Sequence, residues 1–282
     1  MMTNNDDIFE AKALRGKLPA PPTFTTKVEE REYIKFRLAQ AFRIFGNHGY
    51  DEGLAGHITV RDPIRSDCFW VNPFGLHFKL IQPEDLLLVD HTGNILEEES
   101  GQKDGPYRIL NTAAFMIHST IHSARPDVMC AAHTHSLYGK AFSALGIELD
   151  PITQDACAFF EDHTVYNQYN GPVFEEQEGG AIATALGNKK AVILQNHGLL
   201  VGTSSIEATV HFYIALERAC QVQLLADSAA ANQCPGGKTV KIHPDNARET
   251  GRIMGAQRAG WFSGLMEFSV LEREEGVRYK CK

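Results

Sequence analysis

Val128-Met129-Cys130-Ala131-Ala132-His133-Thr134-His135 is the stretch from which the rest of the chain can be read. The apolar run Val128 to Ala132 predicts a buried strand. In extended backbone residues i and i+2 project to the same side, so His133 and His135 at the end of that strand can face one point. That spacing suits paired metal ligands, and it suits equally well two satisfied or solvent-facing histidines. A third candidate ligand is His197, in Gln195-Asn196-His197-Gly198 after the apolar run Ala191 to Leu194, where the glycine lets the backbone turn sharply. Three imidazoles leave positions open for water or substrate, as a catalytic metal site requires, and they suit zinc, iron(II), cobalt or manganese without choosing among them.

On either side of this stretch the chain alternates strand and helix patterns. Upstream, Gly56 to Arg61 and Cys68 to Asn72 are β-branched or aromatic runs separated by the turn signal Asp62-Pro63, and Asp85 to Asp90 and Ile95-Leu96 flank the turn His91 to Asn94. The sheet at this end reads as antiparallel. Helices are predicted near Thr26 to Gly46, at Thr112 to Ser123, Tyr138 to Leu145, Gly179 to Leu186 and Ser205 to Ala226, the last capped by Ser204 or Ser205. Leu199 to Val201 is read as the strand beside Ala191 to Leu194. A final helix over Asp245 to Leu271 carries Gly251, Gly255, Gly260 and Gly264, which permit close approach of other backbones, including those of another subunit. The expected organisation is an N-terminal arm over 1–27, one α/β domain over 28–230 and a C-terminal helical arm over 231–282.

Composition narrows the class. The 282 residues are 43% hydrophobic and 22% charged, which is globular rather than fibrous or disordered. Net charge is −8, with no dense Lys/Arg run, so nucleic acid is not an expected partner. Apolar runs fall far short of the about 20 residues that span a bilayer, and no secretory pattern opens the chain, so no membrane partner and a cytoplasmic location are expected. Six cysteines with no CxxC pair argue for reduced thiols rather than a disulfide framework or a Cys-rich zinc site.

Four stretches, in order, resemble the class II aldolase/adducin family. They are Gly53 to Arg61, then Asn72-Pro73-Phe74-Gly75 with Gln82 to Asp90, then His118 through Arg125-Pro126-Asp127 to His133-Thr134-His135, then Asn196-His197-Gly198. The resemblance implies a three-layer αβα sandwich around a mixed, largely antiparallel sheet. It also implies a divalent metal, zinc foremost with iron(II) or manganese as alternatives, held by His133, His135 and His197. A homotetramer with active sites at subunit boundaries, acting on a small molecule, completes the expectation.

The departures from the sugar-phosphate aldolases of that family fall on their catalytic and phosphate-gripping positions. Their general-base glutamate corresponds to Ala114. Their phosphate pocket corresponds to His57, Phe74, Thr112 and Ala113, which lack most of the small hydroxylated donors. Phe74 favours an aromatic or otherwise apolar, unphosphorylated ligand. Their catalytic tyrosine, carried over without gaps, falls on Gln154. Substitutes for these groups are sought between the metal histidines. Glu161 is the acid/base candidate, and its alternative is a solvated loop carboxylate. His57 is read either as holding a substrate carboxylate or as a hydrogen-bonded structural histidine. Asn72 and Gly75 complete the expected substrate-binding set with His57 and Phe74, while Asn72 and Arg61 also have ordinary uses in turns and carboxylate pairs.

Three functions are compatible with these residues. The first is a metal-dependent lyase, with decarboxylation favoured over aldol chemistry because loss of carbon dioxide needs no base to remove a proton. The second is a non-haem iron oxygenase of aromatic natural-product metabolism, as described for family members that keep segments like Asn72 to Gly75 and Asn111 to Phe115. The third is an adducin-like scaffold without catalysis, which the presence of all three histidines counts against.

Overall fold

The computed structural model describes residues 18–101, 105–169, 171 and 176–277. Most of the expected N-terminal arm, residues 1–17, lies outside them. The first helix, α1 (Lys27–Asn47), begins where Thr26 Oγ1 accepts the Glu29 amide at 3.1 Å, and the long helix α5 (Ile206–Gln233) begins where Ser205 Oγ accepts the Ala208 amide at 3.2 Å. Between them lie β1 (His57–Arg61), β2 (Cys68–Val71), β3 (Leu87–Asp90), α2 (Thr112–Ala124), β4 (Cys130–Thr134), α3 (Leu137–Ser143), β5 (His163–Tyr166), α4 (Glu176–Leu186), β6 (Ala191–Leu194) and β7 (Gly198–Thr203). Two helices follow, α6 (Pro244–Met254) and α7 (Gln257–Glu275).

The seven strands form one sheet in the order β3-β2-β1-β4-β7-β6-β5, antiparallel throughout except for the β5–β6 pair. Period-two alternation sorts the central strands onto two faces. Ala131, Val192, Leu194 and Leu200 face a core shared with Ile117, Ile121, Ile182 and Leu186 of α2 and α4. Cys130, Ala132, Ile193, Leu199 and Val201 face Phe42, Phe45, Phe212 and Tyr213 of α1 and α5. Because both faces are covered, these strands read as continuous apolar runs, and the architecture is the expected three-layer α/β sandwich.

Two expectations are corrected. Ile95-Leu96 is not a strand: Ile95 makes a single bridge to Val89, because the Asp90 side chain accepts from the amides of Thr92 and Asn94 and closes a turn too tight to extend the ladder. The predicted final helix is two helices, broken after Met254, where a Cβ on Gly255 would sit 2.8 Å from the Ala158 carbonyl. Close backbone approach does occur in this segment, and it is within the chain. A Cβ on Gly264 would fall 2.1 Å from the Glu207 carbonyl, so α7 lies directly on α5, and Trp261, Phe268 and Leu271 enter the same core as Phe42. No helix among the described residues is long and apolar enough to cross a membrane.

Candidate metal centre

The sheet brings the three predicted histidines to one end. His133, next to last in β4, lies opposite Leu200 of β7, and His135 follows two residues later on the same side. The β6–β7 hairpin carries His197: the His197 amide donates to Leu194 O at 3.0 Å, Asn196 takes a left-handed conformation with φ 58°, and Gly198 re-enters the sheet beside Leu194. Ring nitrogens of His133, His135 and His197 all lie within 4.8 Å of one another. The ring centroids are 5.2 Å apart for 133–135, 4.7 Å for 133–197 and 4.8 Å for 135–197. Gly198 is required by this approach, since a Cβ there would stand 2.5 Å from the Thr134 carbonyl oxygen.

The electrostatics fit a divalent ion. His133 Nδ1 lies 2.9 Å from Leu199 O, and a carbonyl can only accept, so Nδ1 carries the proton and Nε2 presents a lone pair. Burial pushes the His133 imidazole well below its ordinary pKa, and the neighbouring imidazoles add to the shift. Burial also lowers His135, aided by Lys140, and takes His197 to about 4, aided by His135. Neutral imidazole is the ligating form, so the triad is ready to bind near neutral pH. Among the described residues the cluster contains no carboxylate.

His57 faces His133 across the β1–β4 ladder, with ring centroids 6.1 Å apart. Its other side meets His118 of α2 edge-on at 5.9 Å. Behind these rings lies a polar chain that the sequence reading missed. His122 Nδ1 is 3.3 Å from Val128 O, Thr59 Oγ1 lies 2.8 Å from His122 Nε2 and 2.7 Å from His118 Nδ1. The carbonyl forces His122 to donate from Nδ1, so Nε2 accepts the Thr59 hydroxyl proton, and Thr59 must accept from His118 Nδ1. His118 Nε2 is thereby an acceptor, buried and without a hydrogen bond. Burial holds both His118 and His122 at a pKa of about 3, so the chain is neutral. The spacing Thr59 to His57 on one strand and His118 to His122 on one helix was the available signal, since both pairs project to common sides.

Asn72 and Phe74 follow β2 at the same end of the sheet and line, with Gly75, Leu54 and Gly56, a concavity of about 160 Å³. Asn72 Oδ1 is buried without a partner there. Arg61 is engaged elsewhere: its guanidinium donates to the carbonyls of Ser66 and His122. Thr112 and Ala114 begin α2.

Gln154 and Glu161 are not brought to the histidines. Glu161 lies just before β5, where His163 pairs with Ala191, whereas His197 follows the far end of β6, so the length of the strands separates them; Gln154 precedes the 3-10 turn Asp155–Phe159 that leads into Glu161. Gln154 is exposed. Glu161 is 55% exposed and holds a bidentate pair with Arg248 of α6, at 2.9 and 2.7 Å. Its carboxyl is lowered by that hydrogen-bonded guanidinium. It is occupied in tethering α6.

Comparison with known proteins agrees with this geometry. Residues 36–224 match the family model for the class II aldolase and adducin N-terminal domain. A protein named Decarboxylase NovR from Streptomyces niveus is 45% identical over 244 residues, covering 86% of this chain and 85% of its own. A 4-hydroxy-3-prenylphenylpyruvate oxygenase/4-hydroxy-3-prenylbenzoate synthase from Streptomyces roseochromogenus subsp. oscitans is 45% identical, covering 86% of this chain and 83% of its own. The solved structure of an L-fuculose 1-phosphate aldolase from Glaciozyma antarctica PI12 superposes with TM-score 0.83 at 45% identity, covering 93% of this chain and 97% of that one. With the three histidines gathered at the end of a mixed sheet and two thirds of its length matched, the chain belongs to the class II aldolase/adducin family.

Proposed function

We propose that this chain is a divalent-metal-dependent lyase that decarboxylates an unphosphorylated aromatic oxo acid, with retro-aldol cleavage as the related alternative. The lyase class follows from the family and from relatives named for decarboxylation and aldol cleavage. The observation that carries the finer reading is a triad of neutral imidazoles with no carboxylate in the cluster and alanine at position 114, where the family's aldolases use a general base. Breaking a carbon–carboxylate bond needs no proton abstraction, so a site without that base can still perform it. A divalent ion held by His133, His135 and His197 would supply Lewis-acid polarisation of a substrate oxygen. In this reading Asn72 and His57, the latter beside His133, would orient the substrate's polar end, and Phe74 and Leu54, which line the concavity with Asn72, would offer apolar surface to its ring. Exposed Leu137 follows His135 by two residues and the exposed Tyr169 ring stands 6.5 Å from that of His197, and a neighbouring subunit of a homotetramer is proposed to cover them.

The name of the second Streptomyces relative favours one other reading, an iron(II) oxygenase acting on a similar oxo acid. Three histidines leave room for dioxygen and a bidentate ligand. Elemental analysis of protein purified without oxygen, beside His133→Ala, tests both readings. Zinc or manganese near one per chain, lost in the variant, together with carbon dioxide release from phenylpyruvates and no oxygen uptake, is the expected result. Iron with oxygen uptake would replace the lyase by the oxygenase. Absence of metal from both proteins would leave a non-catalytic scaffold.

A further inference from the structure

The His133-Thr134-His135-Ser136 segment alternates like any extended chain, so the residues between the imidazoles face the opposite layer, where α5 lies. Two α5 residues one turn apart, Tyr213 and Glu217, grip it there. Tyr213 OH donates to Thr134 O at 3.1 Å and lies 2.7 Å from Thr134 Oγ1 and 3.3 Å from Ser136 Oγ. Glu217 accepts from Ser136 Oγ at 2.5 Å and from the amides of Tyr138 and Gly139 at 2.8 and 2.7 Å. Tyr213 is fully buried and Glu217 is 5% exposed. No Arg, Lys or His among the described residues forms an ion pair with Glu217, and its sequence neighbour Arg218 is exposed.

A buried carboxylate without a cation costs several kcal/mol unless something compensates it. The three donors, which use both carboxylate oxygens, compensate part of that cost, and a glutamine would keep only one of those acceptors. Imidazoles ligate a metal only in their neutral form, so a divalent ion bound to the triad alone would bring +2 to a site in which His133 is buried and His135 and His197 are half-buried.

We infer that Tyr213 and Glu217 are positioning residues for the metal centre, and that Glu217 is its buried counter-charge, transmitted through Ser136 and the turn that carries His135. The inference rests on the reading of the three histidines as metal ligands.

The test uses the full chain, stripped with a chelator and titrated with cobalt(II) chloride against a competing chelating indicator, in wild type, Glu217→Gln, Tyr213→Phe and His133→Ala. Three quantities are read: the cobalt dissociation constant, the visible spectrum of bound cobalt and the thermal midpoint of the metal-free protein. Glu217→Gln is expected to weaken cobalt binding about 10- to 100-fold and to alter the spectrum, with Tyr213→Phe weakened in the same direction. Wild-type affinity and spectrum in both variants, with only a lowered metal-free midpoint, would overturn the inference and leave a structural cap. Should Glu217→Gln fail to fold, Ser136→Ala with Tyr213→Phe decides on the same readouts. A wild type that binds no cobalt would instead refute the metal reading itself, and the inference with it.

Discussion

Replacing Gly198 by alanine tests whether the hairpin carrying His197 is positioned by contact with the segment carrying His133. The added Cβ would stand 2.5 Å from Thr134 O and 3.5 Å from His133 Cε1. Carbon–oxygen contacts close at about 3.3 Å, so one strand must retreat by about 0.8 Å, and the obstacle is backbone rather than a flexible side chain. Gly198 does not occupy the left-handed region, so alanine brings no conformational strain of its own, and the clash is isolated. Overpacking of this kind costs about 1–3 kcal/mol. At this chain size that lowers the thermal midpoint by about 2–4 °C per kcal/mol. The functional consequence is larger, because a metal site tolerates ligand displacement of only about 0.2 Å. We expect Gly198→Ala to fold, to melt lower by calorimetry, and to bind cobalt at least about tenfold more weakly in the chelator competition. A variant that melts lower yet binds cobalt like wild type would show that His197 is not held by this contact, and the reasoning would fail.

Other outcomes follow from the same geometry. His118 and His122 stay neutral near pKa 3 when folded, below the free-imidazole value of about 6.5, so the unfolded chain takes up protons first as pH falls. Their stabilisation is complete above about pH 6.5 and is lost as pH falls toward 3, amounting to about 2 kcal/mol each by pH 5. His122→Gln should therefore lose about 2 kcal/mol less between pH 7 and pH 5 in urea titrations, and an unchanged loss would contradict the burial argument. Thr59→Val strands two imidazole nitrogens and should destabilise by about 1–3 kcal/mol at pH 7; a neutral substitution would mean the polar chain is not continuous. Glu161→Gln should leave turnover within about twofold of wild type, since its exposed pair with Arg248 contributes little and faces away from the histidines. A large drop in turnover would return Glu161 to the site through a neighbouring subunit.

Much of the fold was legible because the physical rules involved are local. Continuous apolar runs such as Ala191 to Leu194 announced strands covered on both faces, and the covered sheet followed. Ser205 announced the start of α5 because its hydroxyl caps an amide three residues on. One failure was local and the other was not. Asp90 closes its own turn with side-chain hydrogen bonds and prevents Ile95 from laddering, and a glycine-rich pattern does not reveal that Gly255 abuts the Ala158 carbonyl until the two backbones are placed.

The metal-ligand candidates needed no tertiary information, since an i, i+2 histidine pair projects to one side of any strand and a histidine after a second apolar strand can be brought beside it. The resemblance to the family's aldolases adds the expectation that alanine stands at position 114 where they carry a general base. Which polar groups surround the histidines depends on the packing of the layers. Glu161 lies between the histidines in sequence but beyond the opposite end of the sheet, because it precedes β5, which runs parallel to β6, whereas His197 follows β6. Tyr213 and Glu217, 78 and 82 residues beyond His135, reach the histidine turn because α5 packs across the back of β4. Side-chain periodicity along one element is fixed by covalent geometry, whereas the neighbours across a layer are fixed by how the whole sheet closes its two cores.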